Sequence, residues 1–382
     1  MTSWTLKLFR LTKLTVLFLL LSACAVKSNQ STDRELSMQD SKTQKKIVIA
    51  HRGASGYLPE HSLASKAMAY AMDVDYIEQD VVLTKDDQII VLHDLYLERV
   101  TNVVQIFPNR YRNVDGKKRW LAIDFTLEEI KQLKMTEGFN ISAETNQPIQ
   151  GYPDRFPMFK SSFQVATLAE EIELIQGLNQ STGRDVGIYV EIKAPWFHRM
   201  EGKDISTKVL KILKHYGYQS KRDKAYLQCF DPKETRRIHD DLMPSLNMEL
   251  KLVQLIAMTE WQETMHMVEG KLTNYSYDWM FEKNAMQKVA EYADGIGPWM
   301  PMLVSDKSTS DNIIDTGMLA NAHQQGLEVH PYTFRLEKDK TPPYAKNFNH
   351  LLDIFLYQIG VDGVFTDFPD LAVEFIKQKE NQ

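Results

Sequence analysis

The stretch Ile47–Asp94 reads IVIAHRGASGYLPEHSLASKAMAYAMDVDYIEQDVVLTKDDQIIVLHD, and the rest of the chain is organised around it. Its first apolar run, Ile47–Ala50, leads directly into His51 and Arg52. A later run, Ile89–His93, ends on a second imidazole. Short apolar runs bounded by polar residues are typical of buried strands, so both runs are predicted to bring polar groups to the end of a sheet.

The middle run, Tyr76–Leu83, carries two carboxylates two residues apart, Glu78 and Asp80. Because side chains alternate along a strand, both carboxylates project to one side and can share a cation. A strand-end histidine or an alternating acid pair is usually structural when it occurs alone. Two imidazoles, a guanidinium and two acids on neighbouring strands would together supply the acid, base, charge clamp and metal ligands of phosphoryl transfer.

Eight longer segments occur in a fixed order: HRGASGYLPEHSL, YIEQDVVLTKDDQIIVLHD, GIYVEIKAPWFH, YLQCFDP, LVQLIA, EYADGIGP, EVHPYTFR and GVFTDFPD. Together they resemble the glycerophosphodiester phosphodiesterase family, specifically its bacterial periplasmic and lipoprotein branch. Val190 departs from the pattern, since relatives tend to have proline before the glutamate. The resemblance implies an enzyme that cleaves glycerophosphodiesters to sn-glycerol 3-phosphate and an alcohol.

Alternating strand and helix patterns run through most of the chain. The predicted strands are Ile47–Ala50, Tyr76–Leu83, Gly187–Ile192, Ala225–Cys229, Glu249–Leu255, Gly295–Gly297, Leu327–His330 and Gly363–Phe365. The predicted helices are Leu168–Leu178, Ile205–Tyr216, Pro232–Asp241, Ile313–Gln325, Leu351–Ile359 and Leu371–Lys377. This order predicts an α/β protein whose residues 47–378 form a (β/α)₈ TIM barrel, with a doubly wound open sheet as the alternative.

Two segments break the alternation. Residues 95–163 are rich in proline and polar groups, with a helix predicted at Leu127–Leu133, and are interpreted as an insertion subdomain after the second strand. Basic residues in this insertion could face an anionic substrate, although a solvated charged loop is the alternative. Residues 256–294 are rich in Trp and Tyr and are predicted to form loop and helix.

Catalytic groups of a TIM barrel lie at the C-terminal ends of its strands. Glu191 and Lys193 repeat the two-residue spacing there, and an internal ion pair is the structural alternative for them. Three carboxylates, Glu78, Asp80 and Glu191, would form a hard oxygen site. The resemblance implies one divalent cation there, calcium in preference to magnesium.

The remaining roles are divided between cations and imidazoles. Arg52 and Lys193 are expected to bind the phosphate, since arginine can hold two oxygens in a fork. His51 and His93 are expected to form an acid and base pair, because imidazole titrates near neutral pH. The sequence does not indicate whether His51 or His93 is the acid. They also leave open whether a glycerol hydroxyl attacks to give a cyclic phosphate or water attacks directly.

Tyr332 and Asp367 also lie near other predicted strand ends. Five further side chains there are candidates for a glycerol pocket, with packing of the barrel mouth as the alternative. They are Gln228, Phe230, Trp299, His330 and Phe365. By resemblance to the family, some of them are expected to shape the pocket.

The first 24 residues resemble a lipoprotein signal peptide, with a basic leader, a short apolar core at Leu14–Leu21, and small residues before Cys24. Cys24 is expected to carry a lipid anchor. Residues 25–46 are polar and are predicted to be a flexible tether. Ala25 lacks the acidic character associated with inner-membrane retention, so we expect an outer-membrane location facing the periplasm or the cell surface.

Charge and composition exclude one class and leave two competing functions. The net charge of −6 argues against a nucleic-acid surface. A lyase or phospholipase of the same barrel type, acting on intact phospholipids, would need an apolar channel. A non-catalytic surface lipoprotein would tolerate loss of the catalytic groups, all of which are present here. The oligomeric state is not indicated, and a homodimer is kept as an expectation.

Overall fold

A sheet of parallel strands carries most of the candidate site residues. The computed structural model describes residues 45–381 except residues 143, 146 and 161, and these belong to one compact unit. The predicted signal peptide, Cys24 and nearly all of the tether therefore lie outside the described residues. The strands of the described part are β1 Ile47–Ala50, β2 Tyr76–Leu83, β3 Ile89–Val91, β4 Arg112–Val114, β5 Lys117–Arg119, β6 Phe139–Ile141, β7 Pro148–Gln150, β8 Gly187–Ile192, β9 Ala225–Cys229, β10 Lys251–Ile256, β11 Met265–Val268, β12 Lys271–Asn274, β13 Gly295–Pro298, β14 Glu328–Val329 and β15 Gly363–Thr366.

Eight of these strands lie side by side in the order β14-β13-β10-β9-β8-β2-β1-β15, all parallel. The two outermost strands are joined by backbone hydrogen bonds, among them one of 3.1 Å from the N–H of Asp362 to the carbonyl of Val329. The sheet is thus a nearly closed barrel. The predicted TIM barrel is confirmed, and the open-sheet alternative is excluded.

Helices connect the strands and cover the outside of the barrel. They are α1 Leu63–Ala71, α2 Val103–Ile106, α3 Leu127–Ile130, α4 Leu168–Thr182, α5 Pro195–Met200, α6 Ile205–His215, α7 Pro232–Arg237, α8 Met243–Ser245, α9 Ala285–Val289, α10 Met318–Gln324, α11 Phe348–Asp353 and α12 Pro369–Glu380. Wider π-type turns at Ile238–Leu242 and Ile354–Ile359 follow α7 and α11.

Helix α4 shows how local sequence sets these bounds. The Thr167 side chain accepts a hydrogen bond from the backbone N–H of Glu170, and the Glu170 side chain accepts one from the N–H of Thr167. This reciprocal capping box satisfies two backbone N–H groups that have no carbonyl partner within the helix. At the other end Gly183 adopts a left-handed conformation, with φ of 73°, which terminates the helix. The result is a helix four residues longer at its C-terminus than the sequence predicts.

Apolar residues fill three regions. The largest lies between the strands and the surrounding helices, and includes Ile77, Val81 and Leu83 of β2. A smaller group, mostly aromatic, fills the barrel interior with Tyr189 and Tyr226 stacked at 4.6 Å between ring centroids. The large apolar surface removed from water in these layers is the main stabilising term of the fold.

Residues 95–163 have their own apolar cluster, which includes Trp120, Phe125 and Leu133 and packs against Val82 of β2. Two hairpins, β4–β5 and β6–β7, lie within this segment. Val82 lies on the same side of β2 as Glu78 and Asp80. One face of β2 therefore carries Glu78 and Asp80 and also packs, through Val82, against residues 95–163.

Two local predictions need correction. The helix predicted at Ile313–Gln325 begins only at Met318, because the preceding residues pair with the loop after β13, where the N–H of Ser305 donates to the carbonyl of Ile314 at 2.8 Å. The segment 256–294 contains the hairpin β11–β12 as well as helix α9. No helix among the described residues is long and apolar enough to cross a membrane.

Candidate active site

A cavity of about 760 Å³ opens where the barrel strands end. Five of the residues predicted to act on the phosphate or the cation line it, namely His51, Arg52, Glu78, His93 and Glu191. The cavity is also lined by four of the predicted pocket residues, Gln228, Phe230, Trp299 and Phe365. Asp80 and Lys193 lie just behind these walls, because Asp80 Oδ2 is 3.4 Å from Arg52 Nε and Lys193 Nζ is 2.6 Å from Glu191 Oε1.

The turn after β1 holds the first two site residues. Arg52 has a positive φ of 58°, and its backbone N–H donates to Oε2 of Glu78 at 2.6 Å. Gly53 follows with a φ of 87°, and a Cβ there would lie 2.5 Å from Oγ of Ser65. Only glycine meets both requirements, since it tolerates positive φ and has no side chain. The turn therefore brings β1 and β2 together at the cavity floor.

His51 is held by the last strand of the barrel. Its Nδ1 lies 2.6 Å from Oδ1 of Asp367, which directly follows β15. The other carboxylate oxygen of Asp367 accepts hydrogen bonds from Arg155 at 2.7 Å and Arg335 at 2.9 Å. Both arginine charges lower the pKa of Asp367 despite its burial, so it is ionised and accepts the Nδ1 proton. The Nε2 atom of His51 then carries the lone pair.

His93, which lines the same cavity, has a similar arrangement. Its Nδ1 lies 2.6 Å from Oδ1 of Asp94, and Asp94 in turn pairs with Arg99 at 2.5 Å. Glu60 joins this group to Arg52, because it pairs with Arg99 at 2.5 Å and with Arg52 at 3.0 Å. The chain of charges fixes the position of both Arg52 and His93.

The two carboxylates of β2 fit a hard cation. Oδ2 of Asp80 accepts from the His61 ring, while its Oδ1 is buried with no hydrogen-bond partner. A buried carboxylate oxygen without a partner is costly unless a cation binds it. Burial and the negative charge of Asp80 also raise the pKa of Glu78. The two carboxylates therefore repel each other when both are ionised and no cation lies between them.

His61 approaches the same carboxylates. One ligand atom from each of His61, Glu78 and Asp80 can be chosen so that all lie within 4.8 Å of one another. Lys66 Nζ lies 3.1 Å from Nδ1 of His61, and an ammonium can only donate. The ring proton is thus on Nε2, which donates to Asp80 at 2.8 Å. His61 therefore orients a carboxylate and does not itself present a lone pair to a cation.

Glu191 lies beside this pair, because its backbone position on β8 is the register partner of Asp80 on β2. Its carboxylate is hydrogen-bonded by Lys193. Burial disfavours the Lys193 cation, but the charges of Glu191, Glu263 and Asp80 outweigh burial and raise its pKa. Lys193 thus carries a positive charge beside Glu191, and the ion pair named as the structural alternative is present.

His330 is the predicted pocket residue that lies elsewhere. It is buried in the barrel interior, where its Nδ1 is 3.1 Å from the hydroxyl of Tyr189 and its ring packs edge-on against Tyr226. Its strand is short and ends before the mouth, so the side chain fills the layer below the cavity. At the rim, the exposed ring of Trp299 packs edge-on against Trp261 at 5.2 Å.

Of the residues that support the histidines, the sequence pointed only to Asp367, as a residue near a strand end and without a role. Glu60 and His61 follow the HRG turn by only a few positions, and a carboxylate next to His93 could have suggested Asp94. No sequence signal points to Arg155, which lies in the insertion and reaches the site only through the fold. The basic residues Arg110 and Arg112 pair with acids of the insertion and of α5, so they are not directed into the cavity.

A TIM barrel whose mouth holds two anchored imidazoles, an arginine and a carboxylate pair has the groups that hydrolysis of a phosphate ester requires. A model of the Glycerophosphoryl diester phosphodiesterase family matches residues 51–371 of the chain. The chain therefore belongs to that family, and it is an enzyme with the family's phosphodiesterase activity.

Two relatives agree with this assignment, and two solved structures share the fold. The chain is 50% identical over 367 residues to the glycerophosphodiester phosphodiesterase of Haemophilus influenzae, covering 96% of this chain and 99% of the relative. It is 43% identical to that of Treponema pallidum, over 87% and 92% of the two chains. An Oleispira antarctica phosphodiesterase, solved in complex with the product sn-glycerol-3-phosphate, shares the fold with a TM-score of 0.54, 19% identity and coverage of 88% and 98%. The Agrobacterium tumefaciens enzyme does so with a TM-score of 0.51, 18% identity and coverage of 86% and 100%.

Proposed function

We propose that the enzyme hydrolyses glycerophosphodiesters to sn-glycerol 3-phosphate and an alcohol, with a divalent cation and with His51 and His93 as acid and base. One observation carries this proposal: each imidazole has its Nδ1 held by a carboxylate at 2.6 Å, while the ring lines the same cavity as Arg52. Both free Nε2 atoms are therefore available to a phosphodiester bound between them.

The two histidines differ in environment, which supports different roles. Burial, followed by the nearby charge of Arg52, lowers the pKa of His51 to about 4. His51 is thus neutral near pH 7 and suited to accept a proton at Nε2. Burial, followed by the charges of Arg52 and Lys193, also lowers the pKa of His93. Its side chain is 32% exposed against 10% for His51, however, so water stabilises its protonated form better than that of His51. We assign His51 as the base and His93 as the acid that protonates the leaving alcohol.

Glu78, Asp80 and Glu191 would hold the cation, and the oxygen donors favour calcium or magnesium over zinc. When bound, the cation would neutralise charge that builds up on the phosphate oxygens. Arg52 and Lys193 would orient the phosphate by hydrogen bonds from fixed positions. Calcium remains our preference on the basis of the family resemblance alone.

The cavity also supports broad tolerance of the alcohol. Its walls beyond the catalytic floor are mostly apolar, including Phe230, Trp299 and Phe365. Apolar walls exclude water without selecting one polar headgroup. Recognition is expected to concentrate on the glycerol and the phosphate. The neighbouring glycerol hydroxyl is the proposed nucleophile, which gives a cyclic phosphate that water then opens.

Alanine substitution tests the assigned roles. His51→Ala and His93→Ala should each lower kcat by about 10²-fold or more, the usual contribution of a general acid or base. The double variant should lose less than the product of the two effects, because the residues act on one transition state. Circular dichroism confirms folding, and a folded single variant with near wild-type turnover would remove that histidine from the mechanism.

The lipid anchor on Cys24 and the outer-membrane location are further proposals, supported by the small residues before Cys24 and by the polar stretch after it. Cys24→Ser should yield an enzyme that partitions into the aqueous phase of a detergent extraction with activity intact. Retention in the detergent phase would refute the anchor. The homodimer stays a prediction, which sedimentation velocity of the Cys24→Ser protein would check.

A further inference from the structure

Arg155 belongs to the insertion, yet its side chain is only 6% exposed and it lies beside the catalytic centre. Its guanidinium stacks over the ring of Tyr152, with 3.9 Å from the guanidinium carbon to the ring centroid. A buried arginine loses its hydration and must recover that free energy from partners. The identity of those partners therefore indicates what the side chain does.

Three nitrogens of Arg155 bind three separate segments around the cavity. One donates to Oδ2 of Asp367 at 2.7 Å, after the last barrel strand. A second donates to the backbone carbonyl of Ser55 at 3.2 Å, in the turn that follows His51. Nε donates to Glu337 at 2.6 Å, in the loop after β14 whose neighbouring residues line the cavity. The planar fork of an arginine can hold all three in one plane, which lysine cannot.

Two of these contacts converge on His51. Asp367 uses one oxygen for His51 and the other for Arg155 and Arg335. The Oγ of Ser55 donates to the carbonyl of His51 at 2.7 Å, so the turn that Arg155 holds is itself bonded to the His51 backbone. Arg335 is 25% exposed, whereas Arg155 is only 6% exposed, so Arg155 is the more buried of the two cations that bind Asp367.

We propose that Arg155 is a positioning residue that fixes the orientation of His51 through Asp367 and Ser55. The insertion is then a structural part of the catalytic centre, because its Arg155 binds Asp367, the carboxylate that accepts the Nδ1 proton of His51. This inference rests on the proposed catalytic role of His51. It assigns to residues 95–163 a task other than binding the substrate.

The test compares Arg155→Met with Arg112→Met. Arg112 is a matched control, because it also lies in the insertion, also bridges two acids, Asp124 and Glu201, and also ties the insertion to the barrel. We expect Arg155→Met to lower kcat on glycerophosphocholine by about 10²-fold, the loss associated with a displaced catalytic group, with a much smaller change in KM. Arg112→Met should retain wild-type kcat.

A spectroscopic readout separates positioning from general stability. In protein labelled with ¹⁵N-histidine, the Nδ1 proton of His51 bonded to Asp367 should give a downfield resonance that is absent from His51→Ala. It should shift or broaden in Arg155→Met and persist in Arg112→Met. A folded Arg155→Met protein with wild-type kcat and an unchanged resonance would overturn the inference.

Two further outcomes remain decisive. If Arg155→Met does not fold, Arg155→Lys replaces it: a single ammonium cannot reach three acceptors, so kcat should fall at least about fivefold, and wild-type kcat would overturn the proposal. If His51→Ala keeps wild-type turnover, the proposed function of His51 fails. The resonance in Arg155→Met then still shows whether Arg155 positions the imidazole.

Discussion

Nδ1 of His51 lies 2.6 Å from Oδ1 of Asp367, although the two residues are 316 positions apart in the chain. The parallel pairing of β1 with β15 places them side by side at the ends of adjacent strands. The closure of the barrel therefore completes the histidine's hydrogen bond. An ionised carboxylate at Nδ1 fixes the ring tautomer and leaves Nε2 as the proton acceptor.

Asp367→Asn should lower kcat by about 10²-fold or more, because an amide can donate to Nδ1 and stabilise the wrong tautomer. The two arginines that face this carboxylate would also lose an anionic partner. Steady-state kinetics measures the loss, and thermal unfolding monitors the stability of the variant. Wild-type kcat in Asp367→Asn would mean that the tautomer of His51 does not limit turnover.

Lys66→Met should destabilise the protein in a pH-dependent way. Lys66 Nζ lies 3.1 Å from Oε2 of Glu171, and both side chains are fully buried behind β2. Burial, partly opposed by Lys66, raises the pKa of Glu171 to about 7 from an ordinary value of 4.5. The folded state thus binds more protons than the unfolded state between these values. The contribution of this group to stability falls as pH rises through that window.

Removing Lys66 leaves the carboxylate without its cation, so the cost should be about 3–5 kcal/mol at pH 8.5 and smaller at pH 5.5. Urea denaturation at both pH values measures the free energy of unfolding. Lys377→Met is the control, because its partner Asp73 is 53% exposed and such pairs contribute less than about 1 kcal/mol. A pH-independent cost for Lys66→Met would show that Glu171 does not titrate.

Cation binding should release protons. Burial and the charge of Asp80 raise the pKa of Glu78 in the cation-free protein, whereas a bound cation favours the ionised carboxylate. Affinity for calcium should therefore increase with pH over the range in which Glu78 titrates. Calorimetry in two buffers of different ionisation enthalpy would detect the released proton. Identical heats in both buffers would contradict the assigned protonation of Glu78.

The sequence was sufficient to predict the barrel and most of the side chains that meet at its mouth, but not the contacts that hold those side chains in place. Alternation on β2 correctly predicted that Glu78 and Asp80 share a face, since strand geometry alone decides this. Their placement beside Glu191 follows from the order of parallel strands. The contacts of Arg155 and Asp367 depend on where a long insertion and the last strand meet, and no local pattern encodes that distance. The depth of His330 likewise depends on the two-residue length of β14.

A 2-deoxy analogue of glycerophosphocholine should react at least about 10³-fold more slowly than the parent, because removing the vicinal hydroxyl deletes the intramolecular attack. Glycerophosphocholine, glycerophosphoethanolamine and glycerophosphoglycerol should be cleaved at comparable rates, since the leaving alcohol adds little differential transition-state binding. Rapid cleavage of the deoxy analogue would favour direct attack by water. Strong selectivity for choline would refute an unselective alcohol site.

We propose that a divalent cation and the residues at the barrel mouth together hydrolyse glycerophosphodiesters. Release of sn-glycerol 3-phosphate from glycerophosphocholine tests it most directly, measured after prolonged dialysis against chelator and again after calcium is restored. We expect no turnover and a lower Tm without the cation, recovery of both with calcium, and no recovery in Glu78→Ala. Full turnover in excess chelator would contradict it.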